Sequence, residues 1–139
     1  MDTSVLVAAH TREPHTAPAQ AWLSENTDEL ILTTWTLVEC DSALAIKRRR
    51  GELDEAAQIA ASIDIEAFAA RHAPLFIPTE ADYQRAREFC RQAASGLRAG
   101  DALHLAVALR LEASHLATLD QVLAANAIQQ GLAVALILR

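Results

Sequence analysis

Four acidic residues stand out as candidates for chemistry: Asp2, Glu39, Asp101 and Asp120. Asp101 opens a segment in which Ala102, Leu103, Leu105, Ala106, Val107, Ala108, Leu109 and Leu111 cover almost the whole circumference of a helix at about 100° per residue. Such a helix is buried nearly all round, so the carboxylate lies beside core. An isolated charge there costs several kcal/mol, or its pKa rises, unless a helix N-terminus, a hydrogen bond or a cation compensates. The ordinary reading of Asp101 is a helix N-cap, which is compatible with metal binding. Asp120 closes Thr118-Leu119-Asp120, where strand alternation puts Thr118 and Asp120 on one side, and it too reads as a cap of the helix that follows. Asp2 takes the matching place after a first strand, with Ser4 on its side, and Glu39 lies one turn into the helix after the second strand. Carboxylates sharing one crevice repel one another unless a divalent cation is present. Oxygen-only ligands suit Mg²⁺ or Mn²⁺, and the five histidines form no HExxH or similar zinc spacing.

These acids need strands and helices to bring them together. Asp2 to Ala9, with Val5-Leu6-Val7, reads as the exit of a buried strand running into a short apolar turn. A helix is expected over Thr16–Glu25, a strand over Leu30–Thr34 and a helix over Leu37–Arg50 that stops at Gly51. Residues 53–72 form an amphipathic helix that could break near Asp64, and Leu75–Ile77 forms a short strand. Thr79 caps the next helix, whose apolar stripe is Tyr83, Ala86, Phe89, Cys90 and Ala93 and which Gly96 ends. Asp101–Glu112 is a helix, Leu116–Leu119 a strand, Gln121–Gln130 a helix and Leu132–Leu138 a strand. Alternating strands and helices require crossovers, hence a parallel sheet covered by helices: a helix-rich α/β fold. In open sheets of this kind the functional crevice lies beyond the carboxyl ends of the strands.

At 139 residues the chain is expected to be one domain, residues 1–139, and not a multidomain enzyme. It is 52% hydrophobic, with four Gly and four Pro, which excludes a disordered class, and its thirty alanines favour helix. No stretch reaches the roughly 18–20 apolar residues of a membrane span, and the opening residues do not read as a signal sequence, so a cytoplasmic protein without a membrane role is expected. Cys40 and Cys90 form no CxxC pair, sit in apolar helical settings and are read as reduced. The net charge of −6 excludes coating nucleic acid by bulk charge, so any such contact is local. Residues 1–70 hold twelve acids and five bases, residues 71–139 six and seven, which is a solvated acidic surface or a source of cation ligands.

Taken together, the residues resemble the PIN-domain ribonucleases, and within them the VapC-type toxins of bacterial toxin–antitoxin pairs. The resemblance rests on Asp2-Thr3-Ser4 with Val5-Leu6-Val7, on Val38-Glu39 followed by Ser42-Ala43-Leu44, on Leu97-Arg98-Ala99-Gly100-Asp101-Ala102-Leu103-His104-Leu105-Ala106, and on Thr118-Leu119-Asp120. It implies a three-layer α/β/α sandwich around a central parallel sheet. It also implies a Mg²⁺- or Mn²⁺-dependent endoribonuclease whose acidic cluster is Asp2, Glu39, Asp101 and Asp120, dimeric and held inactive by a small VapB-type antitoxin. Such proteins carry several apolar residues before the first aspartate. Here Met1 alone precedes Asp2, so a truncated first strand is expected.

On this reading Asp2, Asp101 and Asp120 are metal ligands, directly or through water, and Glu39 is a ligand or positions the attacking water. Ser4 and Thr118 support them from behind. A catalytically silent PIN-like module that binds RNA or protein is the alternative. A phosphohydrolase of the haloacid-dehalogenase type fits less well, because it requires an aspartate where Ser4 stands and a late lysine, whereas the sole lysine is Lys47. The basic run Lys47–Arg50 reads equally as cations at a helix C-terminus or as an RNA contact. His104 reads as a packing histidine, and Trp22, Trp35 and Phe89 as core.

Overall fold

The computed structural model describes residues 1–26 and 30–136, with seven α-helices and four strands among them. In chain order these are α1 (Thr3–His10), α2 (Thr16–Glu25), β1 (Leu32–Thr33), α3 (Thr34–Arg49), α4 (Glu55–His72), β2 (Leu75–Phe76), α5 (Glu80–Arg91), α6 (Ala99–Arg110), β3 (His115–Thr118), α7 (Gln121–Gln129) and β4 (Ala133–Leu136). The α/β class holds, with parallel strands in a helix-rich chain. Residues 137 and 138 of the expected last strand lie outside the described residues.

The strands form two parallel pairs, β1 with β2 and β3 with β4. The first two residues bridge them. Met1 N donates to Ile31 O at 3.0 Å, and the Asp2 N–H donates to Ala117 O at 2.9 Å, so an extended stub lies between β1 and β3 with a hydrogen bond to each side. Alternation along β3 then separates two cores. Ala117 joins a cluster with Val5, Leu6, Leu23, Leu32, Leu44 and Ile65, while Leu116 joins Phe89, Leu105, Leu123 and Leu132. Successive strand residues face opposite sides of a sheet, so helices cover both faces in three layers.

One expected element is corrected. Val5-Leu6-Val7 is not the exit of a strand but the middle of helix α1, which begins directly after Asp2. Val5 through Ala9 are all buried, and a helix inside the core is apolar on every side, which a run this short cannot distinguish from a buried strand. Two smaller differences concern helix limits. α4 runs unbroken through Asp64, capped at its start by the Asp54 carboxylate, which accepts from the Ala57 N–H at 2.7 Å. α5 ends at Arg91, and a 3-10 turn over Ala93–Ser95 leads to Gly96, which takes the left-handed conformation at φ 67°. On α5 only part of the expected stripe is inside: Ala86 and Phe89 are buried, whereas Tyr83, Cys90 and Ala93 are exposed.

The start of α5 is fixed by a reciprocal cap. Thr79 Oγ1 accepts from the Asp82 N–H, and Asp82 Oδ2 accepts from the Thr79 N–H at 2.8 Å. Arg110, the last residue of α6, donates to both oxygens of the buried Asp82 at 2.8 and 3.0 Å, tying the two helices together. Among the described residues no helix is long and apolar enough to cross a membrane. Both cysteines are free; Cys40 is buried, and burial, then the neighbouring Asp41, Glu39 and Asp2 carboxylates, push its thiol up to about 12.

Candidate metal centre

Asp2 is held where the stub meets β3. It is 4% exposed, and its Oδ2 accepts from Ser4 Oγ at 2.5 Å and from Thr118 Oγ1 at 2.8 Å. Each hydroxyl is itself oriented by backbone: the Leu119 N–H donates to Ser4 Oγ at 3.0 Å, and the Asp120 N–H donates to Thr118 Oγ1 at 2.9 Å. The sequence folds this way because α1 turns immediately after Asp2, carrying Ser4 back over the carboxylate.

Glu39 reaches the same place from α3. That helix begins under a capping box, in which Thr33 Oγ1 accepts from the Thr36 N–H and Thr36 Oγ1 from the Thr33 N–H, so its first turn is fixed beside the end of β1. Glu39 Oε2 accepts from Thr3 Oγ1 at 2.7 Å and from His104 Nε2 at 2.5 Å. Burial alone would raise the Glu39 pKa, but the His104 and Thr3 donors outweigh it and hold the carboxyl below its ordinary range. His104 Nε2 also lies 3.2 Å from Thr3 Oγ1 and 3.7 Å from Asp2 Oδ1. Asp2, Glu39 and His104 thus each offer a ligand atom within 4.8 Å of the others.

Asp101 and Asp120 complete the constellation from further out. Asp101 is not an N-cap: Arg98 holds that position, and Asp101 is the third residue of α6, where the positive end of the helix dipole favours a carboxylate. Burial, then the charges of Asp2, Asp120 and Glu39, push its carboxyl up to about 6, with His104 acting the other way. Asp101 therefore feels the charge of the other three acids. Asp120 is a true N-cap, its Oδ1 accepting from the Leu123 N–H at 2.8 Å.

Two participants went unassigned from sequence. His104 is 5% exposed and sits three residues after Asp101, on the same side of α6, a spacing that could have pointed to it. Thr3 carried no signal beyond its place beside Asp2. The basic run faces elsewhere: Lys47 pairs with Glu13 at 2.6 Å and Glu52 at 3.3 Å, and Arg48 with Glu55 at 3.4 Å. Lys47 and Arg48 are thus paired with the protein's own acids at the end of α3. A concavity of about 810 Å³ opens at the other end of the strands between Leu30, Ile31, Leu111, His115 and Ala117, and of the residues discussed above as site participants only His104 lines it.

Asp2, Glu39 and His104 form a donor group that could hold a divalent ion, and such an ion would also relieve the burial and like-charge cost on Asp101. No curated protein matches the chain. The PIN domain family matches residues 1–129. PIN domains are in general metal-dependent nucleases, and the acids at the strand ends are the groups such chemistry needs. With nearly the whole chain matched, this protein belongs to the PIN domain family.

Proposed function

We propose that the chain is a Mg²⁺- or Mn²⁺-dependent endoribonuclease that acts as the toxin of a VapC-type toxin–antitoxin pair. The observation that carries the nuclease reading is the meeting of Asp2, Glu39 and His104 within 4.8 Å of one another, with the half-buried Asp101 carboxyl within reach of the acids' charge. A divalent cation bound there supplies Lewis acidity toward a phosphodiester and makes water a competent nucleophile near neutral pH. Asp2, Asp101 and Asp120 hold it, directly or through water. Ser4 and Thr118 donate along both lone-pair directions of Asp2 Oδ2, so its other oxygen remains to face the crevice. Thr3 and His104 likewise fix Oε2 of Glu39, so the carboxylate is held in place to bind the ion or orient the attacking water.

RNA as the substrate, a VapB-type antitoxin, a homodimer and a cytoplasmic setting rest on the toxin resemblance. Apolar side chains exposed on α3 and α4, Val38 at 58%, Ile59 at 53% and Ile63 at 59%, give a protein partner something to bury.

The test is cleavage of a mixed cellular RNA pool by purified protein with and without Mn²⁺, beside Asp101→Asn prepared identically. Cleavage that needs both metal and Asp101 is expected. Full metal-dependent activity in a natively folded Asp101→Asn protein would overturn the site assignment. A folded wild type that never cleaves RNA favours the binding-module reading.

A further inference from the structure

Glu39 is gripped at both oxygens, and the second grip comes from a glycine. Oε2 accepts from Thr3 and His104. Oε1 points into the first turn of α6, against Gly100. A Cβ placed on Gly100 would overlap Glu39 Oε1 and stand 3.1 Å from its Cδ and 3.5 Å from Trp35 Nε1. Trp35 and Glu39 are four residues apart on α3, hence neighbours on one face of the helix. The indole nitrogen is buried and has no partner at hydrogen-bond geometry, yet it lies close enough to stabilise the charge of Glu39.

We propose that Gly100 is a positioning residue: its missing side chain is the space that Glu39 Oε1 occupies, and the Gly100 backbone and Trp35 indole together wall the carboxylate into the metal centre. The inference rests on the metal-dependent reading of that centre and adds a residue to it.

The geometry also says how a substitution is relieved. The overlapping atom is the far end of a flexible side chain, so an alanine at position 100 displaces Glu39 by rotation and leaves the α6 backbone in place. Alanine is also the better helix former, so the fold is not weakened. The carboxylate then leaves the wall and its hydrogen bond to His104 together. Shortening Glu39 to aspartate withdraws the colliding oxygen, so Gly100→Ala and Glu39→Asp must be coupled.

The test is calorimetric titration of Mn²⁺ alone into wild type, Gly100→Ala, Glu39→Asp and the double variant. Alongside it, the two indole N–H resonances of Trp22 and Trp35 are recorded, separated by Trp22→Phe. Gly100→Ala is expected to keep or raise the metal-free thermal midpoint, lose at least tenfold in Mn²⁺ affinity and shift the Trp35 indole resonance. The double variant is expected to bind no more weakly than the weaker single variant. Native affinity with an unmoved Trp35 resonance in Gly100→Ala overturns the proposal, as does strict additivity. If wild type binds no measurable Mn²⁺, the indole resonance alone decides. A wild type that binds Mn²⁺ through this arrangement but never cuts RNA sinks the nuclease reading only. A wild type that cuts RNA beside a Gly100→Ala protein indistinguishable from it sinks this inference only.

Discussion

Thr118 and Asp2 are 116 residues apart in sequence and 2.8 Å apart in space, the Thr118 hydroxyl donating to Asp2 Oδ2 while it accepts from the Asp120 N–H. One fully buried hydroxyl thereby orients the first acid of the centre and the backbone of the last. The hydroxyl needs β3 and the N-terminal stub in register, so the site exists only in the assembled sheet.

Thr118→Val keeps the shape of the side chain and removes that link. The buried Asp2 carboxylate and the half-buried Asp120 N–H each lose a partner, and the expected loss of stability is about 1–3 kcal/mol. Asp2 is freed to turn, so Mn²⁺ affinity is expected to drop by about 10–100-fold, as for other changes behind a metal ligand. Chemical denaturation and calorimetry measure the two effects separately. Unchanged Mn²⁺ affinity would show that Asp2 does not depend on Thr118 for its orientation.

Asp101 carries the clearest pH dependence. Its carboxyl is raised from 3.8 to about 6 in the fold, so between those values the native state binds more protons than the unfolded chain. Stability of the metal-free protein therefore falls as pH rises through this window, and the full penalty is present above it. Asp101→Asn removes the penalty. The group is partly open to solvent, so after allowance for screening we expect a gain of about 1 kcal/mol, or roughly 3 °C in Tm, at pH 7.5 and none at pH 4. Added Mn²⁺ is expected to stabilise wild type and not the variant. A variant less stable than wild type at pH 7.5 without metal would contradict the crowding.

How far the sequence reaches can be judged at particular residues. Thr79 with Asp82, and Asp120 before Gln121, were legible because caps are local and each side chain bonds backbone three residues away. The all-round apolar character of the Asp101 segment was legible too: Ala102 through Ala108 are buried. Val5-Leu6-Val7 misled because the five apolar residues Val5 through Ala9, buried on every side, lack the periodicity that tells helix from strand. Asp101 as a cap was mistaken by three positions, since boundaries depend on where Arg98 enters the helix. The Thr3–Glu39–His104 contacts join three helices distant in sequence, and no local pattern encodes them.

The Asp82–Arg110 pair lies outside the centre and separates stability from chemistry. Burial alone would raise the Asp82 carboxyl, but Arg110 and the Thr79 donors outweigh it and hold it below 3.8. Its contribution is therefore present above the ordinary carboxylate range and lost as pH falls through the depressed value. Asp82→Asn is expected to cost about 2 kcal/mol at pH 7, reduced from the figure for a wholly buried pair because the Arg110 side chain is 34% exposed. Mn²⁺ affinity and RNA cleavage by the folded fraction are expected to be unchanged. Lost Mn²⁺ binding in a folded Asp82→Asn protein would mean that the tie between α5 and the end of α6 shapes the centre at the other end of α6.

His104 tests whether Glu39 works as an ionised group. The imidazole is the leading opponent of the burial that would otherwise raise Glu39, and Thr3 supplies the second hydrogen bond. With His104→Asn, burial is less fully opposed and the Glu39 carboxyl moves upward. If ionised Glu39 binds the cation or orients water, the acid limb of the cleavage profile shifts to higher pH, and kcat at pH 5 falls by more than kcat at pH 8. If His104 were only a packing residue, the variant would lose stability and the limb would stay where it is. Profiles of kcat against pH in saturating Mn²⁺, with Thr3→Val as a second route to the same carboxylate, distinguish the two. Thr3→Val removes the smaller contribution, so its limb is expected between those of wild type and His104→Asn.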